Sequence, residues 1–265
     1  MKPPRFDYEA PGSIDEALPL LGESGTVLAG GQSLVPMLNL RLAQPELVVD
    51  LGGVAELDYI DASAGGLRIG AMTRQVTLER SQLARERWPL LHKAVRLVGH
   101  AQIRTRGTVG GSVAHADPAA ELPTALIALR ARIHLRSATG ARAVEASEFF
   151  LGPLHTAREP EELLTEIEVP EPPSGSGAGF AEHARTHGDF ATAGAAAVVA
   201  PGGHAGVALL GAGPTPARAE AAERARAGGA APAEAAALAV EGVEDEHRRA
   251  LCAELARRAI EEALR

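Results

Sequence analysis

The chain has 265 residues and a formal net charge of −8, an acidic balance that disfavours nucleic acid or an anionic membrane as partner. An apolar content of 46% excludes a largely disordered chain and supplies core enough for one large or two modest domains, while 3% aromatic residues leave that core to Ala, Leu and Val. A lone cysteine, Cys252, excludes a disulfide within the chain and any four-thiolate zinc or iron–sulfur site.

Turns should be frequent, because 29 glycines and 18 prolines exceed the ordinary share of about 12%. Ser13-Ile14-Asp15-Glu16 is a capping box, predicting a helix to about Leu21 that Gly22 stops. Thr26 to Ala29 is a short apolar run that reaches Gly30-Gly31. A helix-compatible stretch follows from Leu34 to Arg41, giving strand, glycine turn, helix. Leu47 to Leu51 reads as a strand, and Leu67-Arg68-Ile69 alternates as a half-buried strand does. Pro89 suits the first position of a helix whose stripe is Leu90, Leu91, Ala94, Val95 and Val98, ended by Gly99.

A second glycine turn, Gly107 to Gly111, precedes a helix expected from about Pro118 to Arg130 with Asp117 as N-cap. Ile133 and Leu135 alternate with polar neighbours, and Leu164, Ile167 and Val169 mark a further strand. Glu171 to Gly179 has the composition of a linker. From Phe190 to Ala217 no Asp, Glu, Lys or Arg occurs, long enough to raise the question of a membrane span, which needs about 20 residues. Pro201-Gly202-Gly203-His204 interrupts the run, so two buried strands about a turn are expected instead. Helices are expected near Pro216–Arg226, Pro232–Val240 and Asp245–Leu264. The mixture of strands and helices predicts an α+β architecture. Met1-Lys2-Pro3-Pro4-Arg5 leads into acidic rather than apolar sequence, so no secretory signal is read and a cytoplasmic protein is expected.

The two glycine turns carry the chemistry. Ala29-Gly30-Gly31-Gln32-Ser33-Leu34 and Thr108-Val109-Gly110-Gly111-Ser112 each set a glycine pair beside hydroxyl residues, and neither contains a lysine. Adjacent glycines allow consecutive amides to converge on an anion, and the missing β-carbons let a ligand approach closely. The plainer reading is that each pair is a tight turn. Other phosphate and nucleophile motifs fail: no Walker sequence and no G-x-S-x-G occur, and prolines spoil Gly211-Ala212-Gly213-Pro214-Thr215-Pro216 as a dinucleotide fingerprint. His183 and His187 have the spacing of a metal pair on a helix, but their surroundings read as a strand end, so no metal is expected. His115 and Asp117, just past the second turn, face either solvent or a ligand; Asp117-Pro118 also has a purely structural reading as a helix cap.

Those residues resemble the flavoprotein subunits of molybdenum hydroxylases, the medium chains of aerobic carbon monoxide dehydrogenase and the FAD domain of xanthine dehydrogenase. Ala29 to Leu34 with Met37 to Arg41 is similar to the family's first FAD loop, and Ile103 to Ser112 continuing through His115 to Pro123 to its second. Leu163 to Ile167, Phe180 to Ala191 and Pro214 to Ala219 extend the likeness over nearly the whole chain. The resemblance implies an FAD-binding fold of the vanillyl-alcohol-oxidase/p-cresol-methylhydroxylase type, with subdomains at about 1–55 and 56–172 and a C-terminal antiparallel-sheet-and-helix domain at 173–265. It implies that the backbone of Ala29 to Leu34 and of Thr108 to Ser112 meets the FAD pyrophosphate. Asp117 is carried over as a further FAD contact, Glu121 falls near the adenosine sugar, and Leu163-Leu164 passes the isoalloxazine.

The implied activity is electron relay, with no catalytic acid or base in this chain. A molybdopterin-binding large subunit would oxidise the substrate, an iron–sulfur small subunit with [2Fe-2S] clusters would carry the electrons, and FAD here would pass them to an external acceptor. The single cysteine agrees with clusters held elsewhere. Thr105 and Thr186 depart from the family, which commonly has Asn and a second Arg there. Two rivals stand beside this reading: a self-sufficient FAD oxidoreductase of the same fold, and a flavin-free interaction module.

Overall fold

The computed structural model describes residues 2–22, 24–63, 65–186 and 188–265. Its first sheet is parallel: β1 (Asp7–Glu9), β2 (Gly25–Leu28) and β3 (Leu47–Asp50) lie in the order β1-β3-β2. Helices α1 (Ile14–Ala17) and α2 (Leu34–Asn39) flank it. The capping box forms with one displaced arm: Ser13 Oγ accepts from the Glu16 amide at 3.2 Å, while the Glu16 carboxylate accepts from Gly12 at 2.8 Å. Ile14, Ala17, Leu18, Val49 and Leu51 form a small core, which Met72 and Leu163 complete from the next part of the chain.

The second sheet holds β4 (Ile60–Ser63), β5 (Gly66–Gly70), β6 (Arg132–Ser137) and β7 (Gly140–Glu145). A short hairpin, β8 (Phe150–Gly152) with β9 (His155–Thr156), leads to its central strand β10 (Leu163–Pro170). All pairs are antiparallel in the order β4-β5-β10-β6-β7. One face is apolar, with Leu67, Ile69, Ile133, Leu135, Ile167 and Val169 in the main core. On the other, Arg68 pairs with Glu166 at 2.6 Å and His134 with Glu168 at 2.7 Å.

Between β5 and β6 run α3 (Gln75–Arg80), α4 (Gln82–Arg87), α5 (Pro89–Leu97), α6 (Ala101–Arg106), α7 (Val109–His115) and α8 (Glu121–Ala128); α9 (Ala146–Phe149) follows β7. Helix α5 buries Leu90, Leu91, Ala94 and Val95 as its stripe predicts, and the fully buried Trp88 before it donates to the Pro170 carbonyl at 2.9 Å. Helix α8 starts three residues later than expected. Asp117 accepts from the Ala119 amide at 2.8 Å and its carbonyl from Ala120 at 3.0 Å, so it caps a turn and leaves the helix to begin at Glu121.

The third sheet is antiparallel and follows chain order: β11 (Gly177–His183), β12 (Ala193–Val199), β13 (Ala205–Leu210) and β14 (Ala217–Arg218). Helices α10 (Glu220–Ala227), α11 (Pro232–Ala239) and α12 (Glu246–Ala263) complete the chain, with Asp245 capping α12 at 2.7 Å. Helices cover both faces of the sheet. Phe180, Ala196, Val198, Ala208 and Leu210 join the main core beside α5 and α8, while Ala193, Ala195, Ala197, Val207 and Leu209 pack with Ala256 and Ile260 of α12. This double burial explains why residues 190–217 carry no charge. No helix among the described residues is long and apolar enough to cross a membrane.

Further boundaries differ from the sequence reading, the first helix among them, which ends at Ala17 and runs on to Leu20 only as a 3-10 turn. The supposed linker ends early, because Gly177 and Gly179 belong to β11 and lie against α12, where a β-carbon on either would stand 2.0 Å from a helix carbonyl. The helix expected from Pro216 begins at Glu220, since Ala217 and Arg218 first pair with β13.

Candidate functional site

Strand β2 delivers the chain to the first glycine turn, and α2 carries it away. Gly31 (φ +72°) adopts the left-handed conformation that a β-carbon disfavours. The Gln32 side-chain amide donates to the Gly30 carbonyl at 2.9 Å and fixes the loop, and Val35 opens the helical ladder by donating to Gly31 at 3.2 Å. The backbone amides of Gly30, Gly31, Gln32, Ser33 and Leu34 donate to no acceptor among the described residues. Five consecutive free donors at a helix start form a surface suited to an anion.

The second turn is built differently. Gly110 and Gly111 are the first-turn residues of α7 and have ordinary negative φ, so no left-handed nest forms there. Their amides are already engaged: Val109 donates to Thr73 at 2.9 Å, Gly110 to Ala71 at 2.9 Å, Gly111 to the Thr108 hydroxyl at 3.0 Å and Ser112 to the Thr108 carbonyl at 3.2 Å. Glycine is required at 110 for closeness rather than for φ. That backbone presses on Ala71, and a β-carbon would stand 2.6 Å from the Ala71 carbonyl oxygen.

The two turns touch. A β-carbon on the buried Gly30 would lie 2.3 Å from the Arg106 carbonyl and 2.7 Å from Gly107 Cα, and one on Gly111 would lie 3.4 Å from the Ala29 methyl. The first turn therefore supplies the open amides and the second forms the wall beside them. This donor set fits a diphosphate: neutral amides at close range, worth roughly 1.5–3 kcal/mol per bond to a charged group, in an acidic chain whose turns lack lysine.

Residues that sequence reasoning passed over hold this wall in place. Arg104 is buried, with its guanidinium on Glu79 at 2.8 and 3.1 Å and on the Val98 and Gly99 carbonyls at 3.0 and 3.1 Å. Arg74 donates to the Arg106 carbonyl, and Gln75 reaches the Thr108 carbonyl at 3.4 Å. The signal was present in Arg104-Thr105-Arg106-Gly107, where one arginine of the pair faces inward.

Glu121 is buried at the start of α8, and burial foremost, reinforced by Glu182 and Asp117, pushes its carboxyl up to about 8. Asp117 is half-buried and occupied by its own turn, and His115 ends α7 half-buried. Leu163 and Leu164 lie side by side in sequence but enter different cores: Leu163 packs with Met72 and Val49, Leu164 with Ile69 and Ile133. Their side chains show almost no surface. His183 ends β11, while His187 lies outside the described residues; no cluster of three potential metal ligands occurs among those described. Two surface hollows of about 210 and 380 Å³ lie near the turn that precedes β11, away from both glycine turns.

Residues 4–172 match the family described as the FAD binding domain in molybdopterin dehydrogenase. The carbon monoxide dehydrogenase medium chain of Hydrogenophaga pseudoflava is 42% identical over 227 residues, covering 83% of this chain and 79% of that protein. The caffeine dehydrogenase subunit beta of Pseudomonas sp. (strain CBB1) is 40% identical over 232 residues, covering 84% and 79%. A structure of the Hydrogenophaga pseudoflava carbon monoxide dehydrogenase superposes with a TM-score of 0.94 at 39% identity, over 100% of this chain and 99% of that one. Quinoline 2-oxidoreductase from Pseudomonas putida 86 gives 0.89 at 35% identity, over 99% and 98%. With this fold and those touching turns, the chain belongs to the FAD-binding subunits of the molybdenum hydroxylases, and FAD is the cofactor of its domain.

Proposed function

We propose that this chain is the electron-relay subunit of a molybdenum hydroxylase complex, taking electrons from iron–sulfur clusters of a small subunit and passing them to an external acceptor. A molybdopterin-binding large subunit would oxidise the substrate. The observation that carries the reading is the contact between Gly30 and Gly107, beside which the backbone amides of Gly30 to Leu34 have no acceptor among the described residues. Bound there, FAD supplies the reversible electron uptake that no side chain provides.

The chain's own residues bind and orient. Gly30 to Leu34 offer amides to the pyrophosphate; Thr108 to Ser112 set the width of the cleft. Asp117 and Glu121 stand at the adenosine end, Glu121 beside the sugar. The buried side chains of Leu163 and Leu164 leave their backbone as the part that passes the flavin ring. The three sheets support a division into subdomains at about 1–55 and 56–172 and a C-terminal domain at 173–265. Cys252 is buried in the C-terminal core, so cluster ligands belong to another polypeptide.

Expression of the chain alone tests this. The purified protein should be yellow, carry about one equivalent of FAD and turn over no organic substrate, while the native complex should contain molybdenum and iron. A colourless protein that takes up no added FAD, or an isolated chain that oxidises an organic substrate, overturns the proposal.

A further inference from the structure

Arg74 lies between β5 and α3, in a segment zipped to the second glycine turn. Its backbone pairs with Thr108 in an isolated antiparallel bridge, the Thr73 carbonyl accepts from Val109 at 2.9 Å, and the Gln75 amide donates to the Gly107 carbonyl at 2.9 Å. Side chains alternate along an extended segment. Thr73 and Gln75 are buried, and Arg74 between them is turned the other way and half-buried. Its guanidinium donates through Nη1 to the Arg106 carbonyl. That same oxygen is the atom nearest to a β-carbon built on Gly30, at 2.3 Å. One carbonyl oxygen thus touches both, which brings the guanidinium alongside the residue that opens the run of free amides from Gly30 to Leu34.

Arg104, Arg142 and Arg218 each grip a carboxylate, of Glu79, Glu162 and Glu223, through two nitrogens. Arg74 meets no carboxylate among the described residues, and the Arg106 carbonyl is the only acceptor its guanidinium has there. A guanidinium carries several N–H donors in a planar fork, so most of this one's are unspent.

We propose that Arg74 is a diphosphate-binding residue, its guanidinium lending bound FAD the positive charge that neither glycine turn contains. The proposal rests on FAD lying with its pyrophosphate on the first turn. Amides hold a diphosphate by direction, whereas a guanidinium adds charge and a fork that matches two phosphate oxygens. The chain is net −8, and a cation at the turn offsets a repulsion that neutral amides leave in place. Tethering Nη1 to the Arg106 carbonyl also restricts the side chain beforehand, so less rotamer freedom is lost when the ligand arrives.

The test titrates the ligand-free full chain with FAD and with ADP at low and high potassium chloride, following flavin fluorescence and heat, with thermal unfolding alongside. Arg74→Gln keeps a donor for the Arg106 carbonyl and removes the charge; Arg74→Lys keeps the charge and loses the fork. Arg74→Gln should weaken FAD about tenfold or more at low salt, the loss expected for one hydrogen bond to a charged group. It should also flatten the fall in affinity that salt causes in the wild type, while Arg74→Lys retains most of that salt response. ADP, which carries the diphosphate without the flavin, should lose the same factor as FAD. Wild-type FAD affinity in Arg74→Gln, weaker binding with an undiminished salt response, or a loss for FAD with none for ADP overturns the assignment and leaves Arg74 a prop for the Arg106 carbonyl. A wild-type chain that takes up no FAD defeats the functional proposal itself.

Discussion

The amide of Gly110 donates to the Ala71 carbonyl at 2.9 Å, and a β-carbon on Gly110 would stand 2.6 Å from that same oxygen. The obstacle is backbone at the end of β5, which has nowhere to go. Gly110→Ala should therefore lower stability by about 1–3 kcal/mol, the ordinary cost of overpacking a filled core, and weaken FAD binding as a consequence. Urea denaturation of the ligand-free variant measures it; a wild-type midpoint would contradict the packing argument.

Gly30 makes a different demand. Its neighbours are the Arg106 carbonyl and Gly107, so a methyl at 30 would separate the two turns without entering a core. Gly30→Ala should reduce FAD affinity at least about tenfold while costing less stability than Gly110→Ala. Parallel measurements of the FAD dissociation constant and the unfolding midpoint decide between them.

Arg104 is buried and Glu79 half-buried, and the two form a two-pronged pair in which the guanidinium also satisfies the Val98 and Gly99 carbonyls. A hydrogen bond to a charged group contributes about 1.5–3 kcal/mol, so Arg104→Met should destabilise by about that amount and loosen the second turn. The Arg104 guanidinium holds the Glu79 carboxyl below its ordinary value. That stabilisation is present above the unfolded carboxylate range and is lost as pH falls through the depressed folded value. Glu79→Gln should accordingly flatten the acid limb of the stability curve, read from unfolding midpoints between pH 3 and 7.

For Glu121 the sign is opposite. Burial raises its carboxyl from the ordinary 4.5 to about 8 in the folded, ligand-free chain. Its contribution is complete below about pH 4.5 and is lost as pH rises to about 8. Glu121→Gln should raise the midpoint of the ligand-free protein more at pH 8 than at pH 5. An equal change at both would mean that the carboxyl does not titrate there.

What the sequence disclosed followed the strength of its local signals. The α5 stripe with Pro89 at its head and the apolar run of β2 reflect periodicity and formed where they were read, while the box at Ser13 formed with one displaced arm and a shorter helix than expected. The turn at Asp117 did not, because an aspartate before proline serves a helix cap and an isolated turn equally well. The site was half legible. Glycine pairs are conspicuous in a sequence, but whether a glycine exists for φ, as at Gly31, or for clearance, as at Gly110, depends on what the fold sets against it. The burial of Arg104 and the two separate cores of Leu163 and Leu164 are likewise decided by tertiary packing.

The C-terminal sheet is a thin slab clamped between helices. Gly206 meets the end of α8 on one side as Gly177 and Gly179 meet α12 on the other, each at 2.0 Å from the β-carbon it lacks. With so little clearance, neither helical layer can slide without dragging its opposite number. The scarcity of rings in this chain is thus a matter of headroom: alanine and glycine keep the two layers within mechanical earshot of each other.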